Sequence, residues 1–410
     1  MNLTSRIEKQ LPPELVEFMQ AAGLIAASEG RNLYLVGGVV RDLLLGESNH
    51  DLDLVVEGDA IILAEQLTEI NQAKATFHTR FRTATLKWDR WSVDIVTARS
   101  ETYSKPGALP TVTPGAIDTD LYRRDFTVNT LAVELAPARW GELIDLFDGA
   151  EDVKKGLIRI LHENSFIDDA TRIWRALRYE QRLNFKMEPD TLRLLEYNIK
   201  MLDTVSKDRI RHELELVLKE EMPEKALRRA GELGVLEKMY PRLTADNWLD
   251  GRFKVARETT SPDTPSVELY LALLTLRLLP EVIEDFILKY KLRKTQAQTL
   301  RDTIALKEML EELAKPEIKR SRIYKILHGR SKTALNAISI AADSQEVTEN
   351  INLYLTELRY VKPNLTGKDL QKLGYEPGPR MKQILDQLLE AKLDGIKSTK
   401  EQDEAMILGW

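Results

Sequence analysis

There is no cysteine anywhere in the 410 residues. That excludes a disulfide scaffold and any zinc site built on thiolates. Histidine is nearly as scarce. His50, His78, His162, His212 and His328 are scattered, with no two at metal-ligand spacing on one helix. Zinc hydrolysis is thereby disfavoured, and a catalytic metal must be held by oxygen, which points to Mg²⁺. No apolar run approaches the ~18 residues that a bilayer span needs. The start, MNLTSRIEKQLPPELVEF, lacks the basic-then-apolar layout of a secretion signal. A cytoplasmic protein with no membrane partner is expected. An excess of positive charge is missing too, because the formal net charge is −6, whereas a general nucleic-acid binder is basic.

Local charge departs from that average. Between Lys315 and Lys332 lie seven basic residues, among them Lys319, Arg320, Arg322, Lys325 and Arg330, against Glu317 alone. Such a run fits either a solvated helix face or a surface that attracts phosphate.

The length implies several folding units. In the first part, strand and helix signals alternate. Asn32–Val36 reads as a strand, Val39–Leu45 as a short helix, Asp51–Val56 as a strand and Ala60–Ile70 as a helix. Thr83–Trp88 and Ser92–Ala98 read as a hairpin turning at Asp89-Arg90. Pro106, Pro110 and Pro114 with Gly107 and Gly115 then mark a long loop between Arg99 and Asp120. Beyond about residue 120 the pattern is helical: Asp168–Leu183, Pro189–Asn198, Ser206–Lys219, Met222–Leu233, Val267–Leu278 and Arg380–Leu393. The expected class is α+β, a small mixed-sheet head (1–150) followed by an all-helical neck (151–205), body (206–315) and tail (316–410).

The residues with chemical potential form an ordered set. Leu35-Val36-Gly37-Gly38-Val39-Val40-Arg41-Asp42 ends a strand in two glycines and opens a helix. Backbone N–H groups can there approach a triphosphate closely, and Arg41 would add a charged donor. On the next strand Asp51 and Asp53 are two apart and share a face. Two adjacent carboxylates repel unless cations lie between them, and hard oxygen ligands select Mg²⁺. Asp94 is a third candidate carboxylate, although a capping or salt-bridge role fits it nearly as well. Farther on, Asp168 and Asp169 stand where helix caps belong. Arg172, Arg175 and Arg178 step by three along the same helix, a stripe that suits a polar pocket better than a solvated surface. Singly these features are ordinary, and a double glycine is usually a plain turn. Their order is the specific part.

The stretch YLVGGVVRDLLLG…DLDLVVEG closely resembles the signature of the class II tRNA CCA-adding enzymes and bacterial poly(A) polymerases. The resemblance continues in order through YRRDFTVNTLAVEL, LIDLFDGAEDVKKGLIRIL and DDATRIWRALRYEQRLNF, and more loosely in LTGKDLQKLGYEPGPR. It implies a template-independent, Mg²⁺-dependent nucleotidyltransferase that adds CCA to the tRNA 3′ end from CTP and ATP. It also implies that Arg124, Asp125 and Asn129 contact ribose and triphosphate, with Asp125 and Asn129 sharing a helix face. Asp169 and Arg172 would read the incoming base, supported by Arg175 and Arg178. Cytosine and adenine each offer an amine beside a ring-nitrogen acceptor, which matches a carboxylate beside a guanidinium. Guanine and uracil present the reverse. In the tail, the basic run and Lys368 would hold the tRNA elbow through its phosphates.

Two departures matter. The family pattern begins Glu-Asp where this chain has Asp168-Asp169, and the proline-rich loop differs from that of many full CCA-adding enzymes. Both leave the product open among CCA, CC, A and poly(A). The only His-Asp pair is His50-Asp51, inside the first motif, so no metal-dependent phosphohydrolase domain is expected.

Overall fold

Apolar segments too short to be helices build the centre of the first part of the chain. In the computed structural model, which describes residues 1–71 and 73–408, helices α1 (Thr4–Gln10) and α2 (Pro13–Ser28) lead into strand β1 (Leu33–Val36). Next come α3 (Gly38–Leu45), β2 (Leu52–Val56), α4 (Ala60–Asn71), β3 (Lys74–His78), β4 (Thr83–Trp88) and β5 (Trp91–Thr97). All four residues of β1 are buried, as are four of the five in β2, so both faces of the sheet are covered. Tyr34, Val36 and Val55 meet Ala98, Leu121 and Ala132 on one side. Helix α2 buries Leu15, Phe18, Met19 and Ala22, and Phe18 stacks on Trp88 of β4 with ring centroids 4.6 Å apart. Each buried Val, Leu, Phe or Met among them stabilises the fold by ~1.5–3 kcal/mol, and each alanine by less.

The predicted hairpin turns at Asp89, which takes a left-handed φ of 46°. The predicted loop after β5 proves partly ordered. Strands β6 (Arg99–Thr102) and β7 (Thr111–Pro114) pair antiparallel and lead into α5 (Ile117–Tyr122). The tip of that ribbon lies so close to Thr204 that a Cβ on Gly107 would meet its backbone oxygen at 2.6 Å. The Gly107 N–H also reaches the Asp168 carbonyl at 3.3 Å.

The helical pattern expected after residue 120 hides two strands that complete the sheet, β8 (Ala132–Glu134) and β9 (Leu143–Ile144). At three and two residues they are too short to show a period of two. The sheet order is β3-β4-β5-β2-β1-β8-β9, and the β2–β5 pair is parallel within an otherwise antiparallel array. That parallel pairing sets Asp53 opposite Asp94.

Helix α6 (Gly149–Lys155), strand β10 (Leu157–Ile158), α7 (Ser165–Asp168), α8 (Thr171–Arg182), strand β11 (Lys186–Met187), α9 (Pro189–Asn198), α10 (Lys207–Val217) and α11 (Pro223–Glu232) follow. Trp174 of α8 is fully buried. By contacts, the described chain divides into a unit ending at Met239 and a second from Tyr240 onward. The second is helical, with one core gathering Leu306, Leu313, Ile323, Leu335 and Ile351 and a smaller one around Leu370, Ile384, Leu388 and Ile407. No helix among the described residues is long and apolar enough to cross a membrane.

Candidate active site

The glycine turn is built as its sequence suggests. Gly37 closes β1 with φ 77° and stands at the N-terminus of α3. A Cβ there would lie 3.0 Å from Nη1 of Arg124 and 4.0 Å from Oδ2 of Asp53. The turn, the arginine and the carboxylate therefore converge. Asp53 is half-buried on β2, while Asp51 sits just before the strand and is exposed, as is Asp94. Burial, then the charge of Asp51 and also that of Asp94, pushes the Asp53 carboxyl up to about 6, although Arg124 pulls it down. Asp94 accepts a hydrogen bond from Thr85 Oγ1 at 2.6 Å. A half-buried carboxyl whose ionisation is disfavoured by two neighbouring carboxylates fits a hard divalent cation. Among the described residues no three His, Cys, Asp or Glu side chains converge tightly enough to hold a metal by themselves. A site completed by phosphate oxygens and water is how Mg²⁺ is commonly bound.

Above this edge lies a cavity of about 410 Å³ lined by Gly37, Gly38, Asp53, Arg124, Asp125, Asn129, Asp169, Arg172 and Arg175. Nine predicted residues thus share one space. Asp169 follows the last residue of α7, and Arg172 opens the first turn of α8. Asp169 Oδ1 accepts from the Thr171 N–H (3.0 Å) and hydroxyl (2.7 Å), and Oδ2 from Arg209 Nη2 (2.7 Å). An ionised carboxylate has about four acceptor positions, so one remains. Arg172 is buried and gives Nη1 to Ser165 Oγ and Nη2 to the Arg123 carbonyl, each at 2.7 Å. Asp168 does not brace it. That shorter acid turns to His162, 4.0 Å away, and the serine and the carbonyl take over the support.

The segment 123–129 is not the predicted helix. It is a bend followed by a 3₁₀ turn, Thr127–Asn129, because Phe126 bridges to Ile160 and extends the backbone. The Asp125–Asn129 contact survives at 3.0 Å. Asp125 also binds Nε and Nη2 of Arg175 at 2.8 and 2.6 Å. Burial opposes its ionisation, yet Arg175 and Asn129 hold its carboxyl below the usual range.

Two predicted phosphate and base contacts lie elsewhere. Arg41 is buried behind the cavity, with its guanidinium shared between Asp42 (2.8 and 3.0 Å) and Asn129 (2.7 Å). It positions Asn129 and does not line the cavity. Arg178 is also outside it, bonded to Glu220 at 3.3 Å. A step of three residues turns roughly 300° on a helix, so the third arginine lies roughly 120° round from the first.

Several lining residues were not foreseen: Glu101, Tyr103, Arg123, Thr171, Tyr179, Arg209 and Glu213. Behind them Asp120, fully buried on α5, accepts from Arg123 (2.6 Å) and Arg124 (3.0 Å). Its spacing, three and four residues before those arginines, is the signal that could have found it. Tyr179 continues the stripe of Arg172 and Arg175 and lies 5.6 Å from the Arg175 guanidinium.

In the second unit the basic run is less bare than its sequence implies. Arg320 pairs with Glu357, Arg322 with Glu312 at 2.6 Å, Lys325 with Glu390 and Arg330 with Asp302 at 3.2 Å. These acids come from other helices, which a count along the chain cannot see. Lys319 and Lys368 are exposed.

A glycine turn, Asp53 on the adjoining strand and a carboxylate–guanidinium couple in the same cavity are the parts that a nucleotidyltransferase site requires. Residues 33–159 match the poly A polymerase head domain, and residues 184–247 match a probable RNA and SrmB-binding site of polymerase A. The A-adding tRNA nucleotidyltransferase of Geobacter sulfurreducens is 36% identical over 414 residues, covering 97% of this chain and 47% of that protein. The A-adding tRNA nucleotidyltransferase of Halalkalibacterium halodurans is 31% identical over 415 residues, covering 98% and 95%. A solved CCA-adding enzyme, in its apo form II, superimposes with a TM-score of 0.84 at 30% identity, covering 100% of this chain and 99% of that one. The chain thus spans about half the length of the Geobacter relative and nearly all of the other two. It belongs to the family of tRNA nucleotidyltransferases and poly(A) polymerases.

Proposed function

We propose that this protein rebuilds the 3′-terminal CCA of tRNA, adding CMP and AMP from CTP and ATP without a nucleic-acid template and with Mg²⁺. The observation that carries the reading is that Asp53, beside the Gly37 turn, and the Asp169–Arg172 couple line one cavity. Gly37, Gly38 and Arg124 would receive the triphosphate, with backbone N–H groups and a guanidinium as donors. Asp169 has one acceptor position left for the base amine, and Arg172 supplies N–H groups to the ring nitrogen. Such an edge rejects uracil and guanine by meeting acceptor with acceptor and donor with donor. Asp51 and Asp53, with Asp94 in register, would hold Mg²⁺, which when bound supplies activation of the terminal hydroxyl and neutralises the departing pyrophosphate. Arg175 fixes Asp125 against the cavity wall, and Asn129 is held from behind by Arg41. The helices after Tyr240 would take the body of the tRNA, with Lys319 and Lys368 among the phosphate contacts. A cytoplasmic setting suits such a role.

The experiment is direct. Purified protein is incubated with tRNA lacking its three terminal nucleotides, Mg²⁺, CTP and ATP, and the products are resolved on a gel. Extension by three nucleotides is expected, and its absence ends this version. A second reading, addition of the terminal A alone, is favoured by the names of the two relatives described above. It predicts no extension with CTP and a single addition of AMP to tRNA ending in CC.

A further inference from the structure

Helix α10 brings two more charged side chains to the cavity, Arg209 and Glu213, four residues apart and so on one face. Arg209 binds Asp169 Oδ2 through Nη2 at 2.7 Å, while its Nη1 is buried without a hydrogen-bond partner. Glu213 is 7% exposed, and its Oε2 is likewise buried and unpartnered. Unsatisfied buried polar atoms are rare in folded proteins, and two of them on neighbouring residues that line one cavity point to a ligand that completes them. The charges around Glu213 are Arg175 and Arg178 of α8, His212 of its own helix, and Asp169.

We propose that Glu213 is a second acceptor for the exocyclic amine of the incoming cytosine or adenine, with Arg209 as the positioning residue that fixes Asp169, the first acceptor. The proposal rests on the reading of Asp169 and Arg172 as the base-recognition couple. An amine carries two N–H donors. Asp169 takes one with its remaining acceptor position, and Glu213 Oε2 takes the other. Uracil and guanine place a carbonyl oxygen where that amine would be, so they meet two carboxylates instead of one. Discrimination is then built from two adjoining elements, the α7–α8 junction and α10.

The test compares kcat/KM for CTP, ATP, UTP and GTP in the full-length wild type, Glu213→Gln and Glu213→Ala. N4-methyl-CTP and N6-methyl-ATP, in which one amine hydrogen is replaced, are included. The wild type is expected to use the methylated nucleotides about 10- to 100-fold less well, the worth of one hydrogen bond to a charged group. Glu213→Ala should narrow that gap by a similar factor, and Glu213→Gln should raise UTP use relative to CTP. Should the wild type accept N4-methyl-CTP as readily as CTP, the proposal falls without any variant being needed. Arg172→Ala is measured alongside. If it keeps wild-type base choice, the underlying couple is wrong. If Arg172→Ala loses base choice while both Glu213 variants retain it, Glu213 serves only as counter-charge to Arg175 and the inference is overturned. Thermal unfolding and tRNA binding of Glu213→Gln show whether it is folded, and its nucleotide ratios decide the case if Glu213→Ala is not.

Discussion

Replacing Asp125 with alanine tests whether that carboxylate serves the nucleotide or the wall that holds it. Its two oxygens accept from the Phe126 N–H (2.9 Å), Asn129 Nδ2 (3.0 Å) and two nitrogens of Arg175 (2.8 and 2.6 Å). Truncation leaves those donors without an acceptor and strands the Arg175 guanidinium against a buried wall. Breaking a buried pair from one side costs ~3–5 kcal/mol. The Arg175 side chain is 32% exposed, so water recovers part of that cost and ~2–3 kcal/mol is the better expectation. For a unit of this size the loss lowers Tm by about 5–10 °C. The assay is calorimetry of the full chain, following the transition of the first unit. An Asp125→Ala/Arg175→Met cycle should return a coupling of ~2 kcal/mol. The pH dependence has a definite sign. A carboxyl held below its unfolded value contributes fully above that value and loses its contribution as pH falls. The Tm gap between wild type and Asp125→Asn should therefore be widest above about pH 5 and shrink below about pH 4. If Asp125→Ala melts like the wild type and only KM for nucleotide rises, then Asp125 touches ligand, as the family resemblance implies, and the structural account of it is wrong.

Three further outcomes are expected. Asp51→Asn or Asp53→Asn should lower turnover by at least ~100-fold while tRNA affinity by filter binding stays within about two-fold; wild-type activity in either variant would remove the metal assignment. Arg172→Ala should reduce the preference for CTP and ATP over UTP and GTP by at least ~100-fold with little change in tRNA affinity, read from gel-resolved additions. Lys319→Ala and Lys368→Ala should each reduce the slope of log affinity against log salt by about 1; Arg322→Ala should change it less, because Glu312 already neutralises that arginine.

The elements that position the site were legible where hydrophobic period and turn chemistry agreed. Strands β1 and β2, helix α3 and the hairpin at Asp89 fall within a residue or two of their expected limits. The sequence of the ribbon β6–β7 reads as loop because its prolines and glycines dominate the local signal, although Pro114 occupies the last position of a two-stranded edge. The cavity lining is legible where a motif compresses it into one segment, as with Gly37, Asp53, Asp169 and Arg172. Arg209 and Glu213 escaped because their signal is an ordinary i,i+4 pair on a helix, and only the packing of α10 beside α8 aims them at a cavity. Arg41 and Arg178 lie outside the cavity lining for the opposite reason. A basic residue near a phosphate motif looks like a ligand contact until the neighbouring acid that claims it, Asp42 or Glu220, is known from three dimensions.

The cavity has a charge balance of its own, distinct from that of the acidic chain. Five arginines line it (Arg123, Arg124, Arg172, Arg175 and Arg209) against five carboxylates (Asp53, Glu101, Asp125, Asp169 and Glu213). Nearly all of these side chains are held by one another or by the shell behind them, Arg123 and Arg124 by Asp120, Arg175 by Asp125, Arg209 by Asp169. Their side-chain entropy is therefore lost on folding and not on binding, which is what preorganisation means in free-energy terms. The lining is formally neutral, however, and a nucleoside triphosphate adds several negative charges. Arginines already paired with carboxylates would not also neutralise it. On the proposed reading, divalent cations held by Asp51 and Asp53 would be the remaining source of positive charge at that edge. Nucleotide affinity should accordingly depend steeply on the metal, even when no transfer takes place.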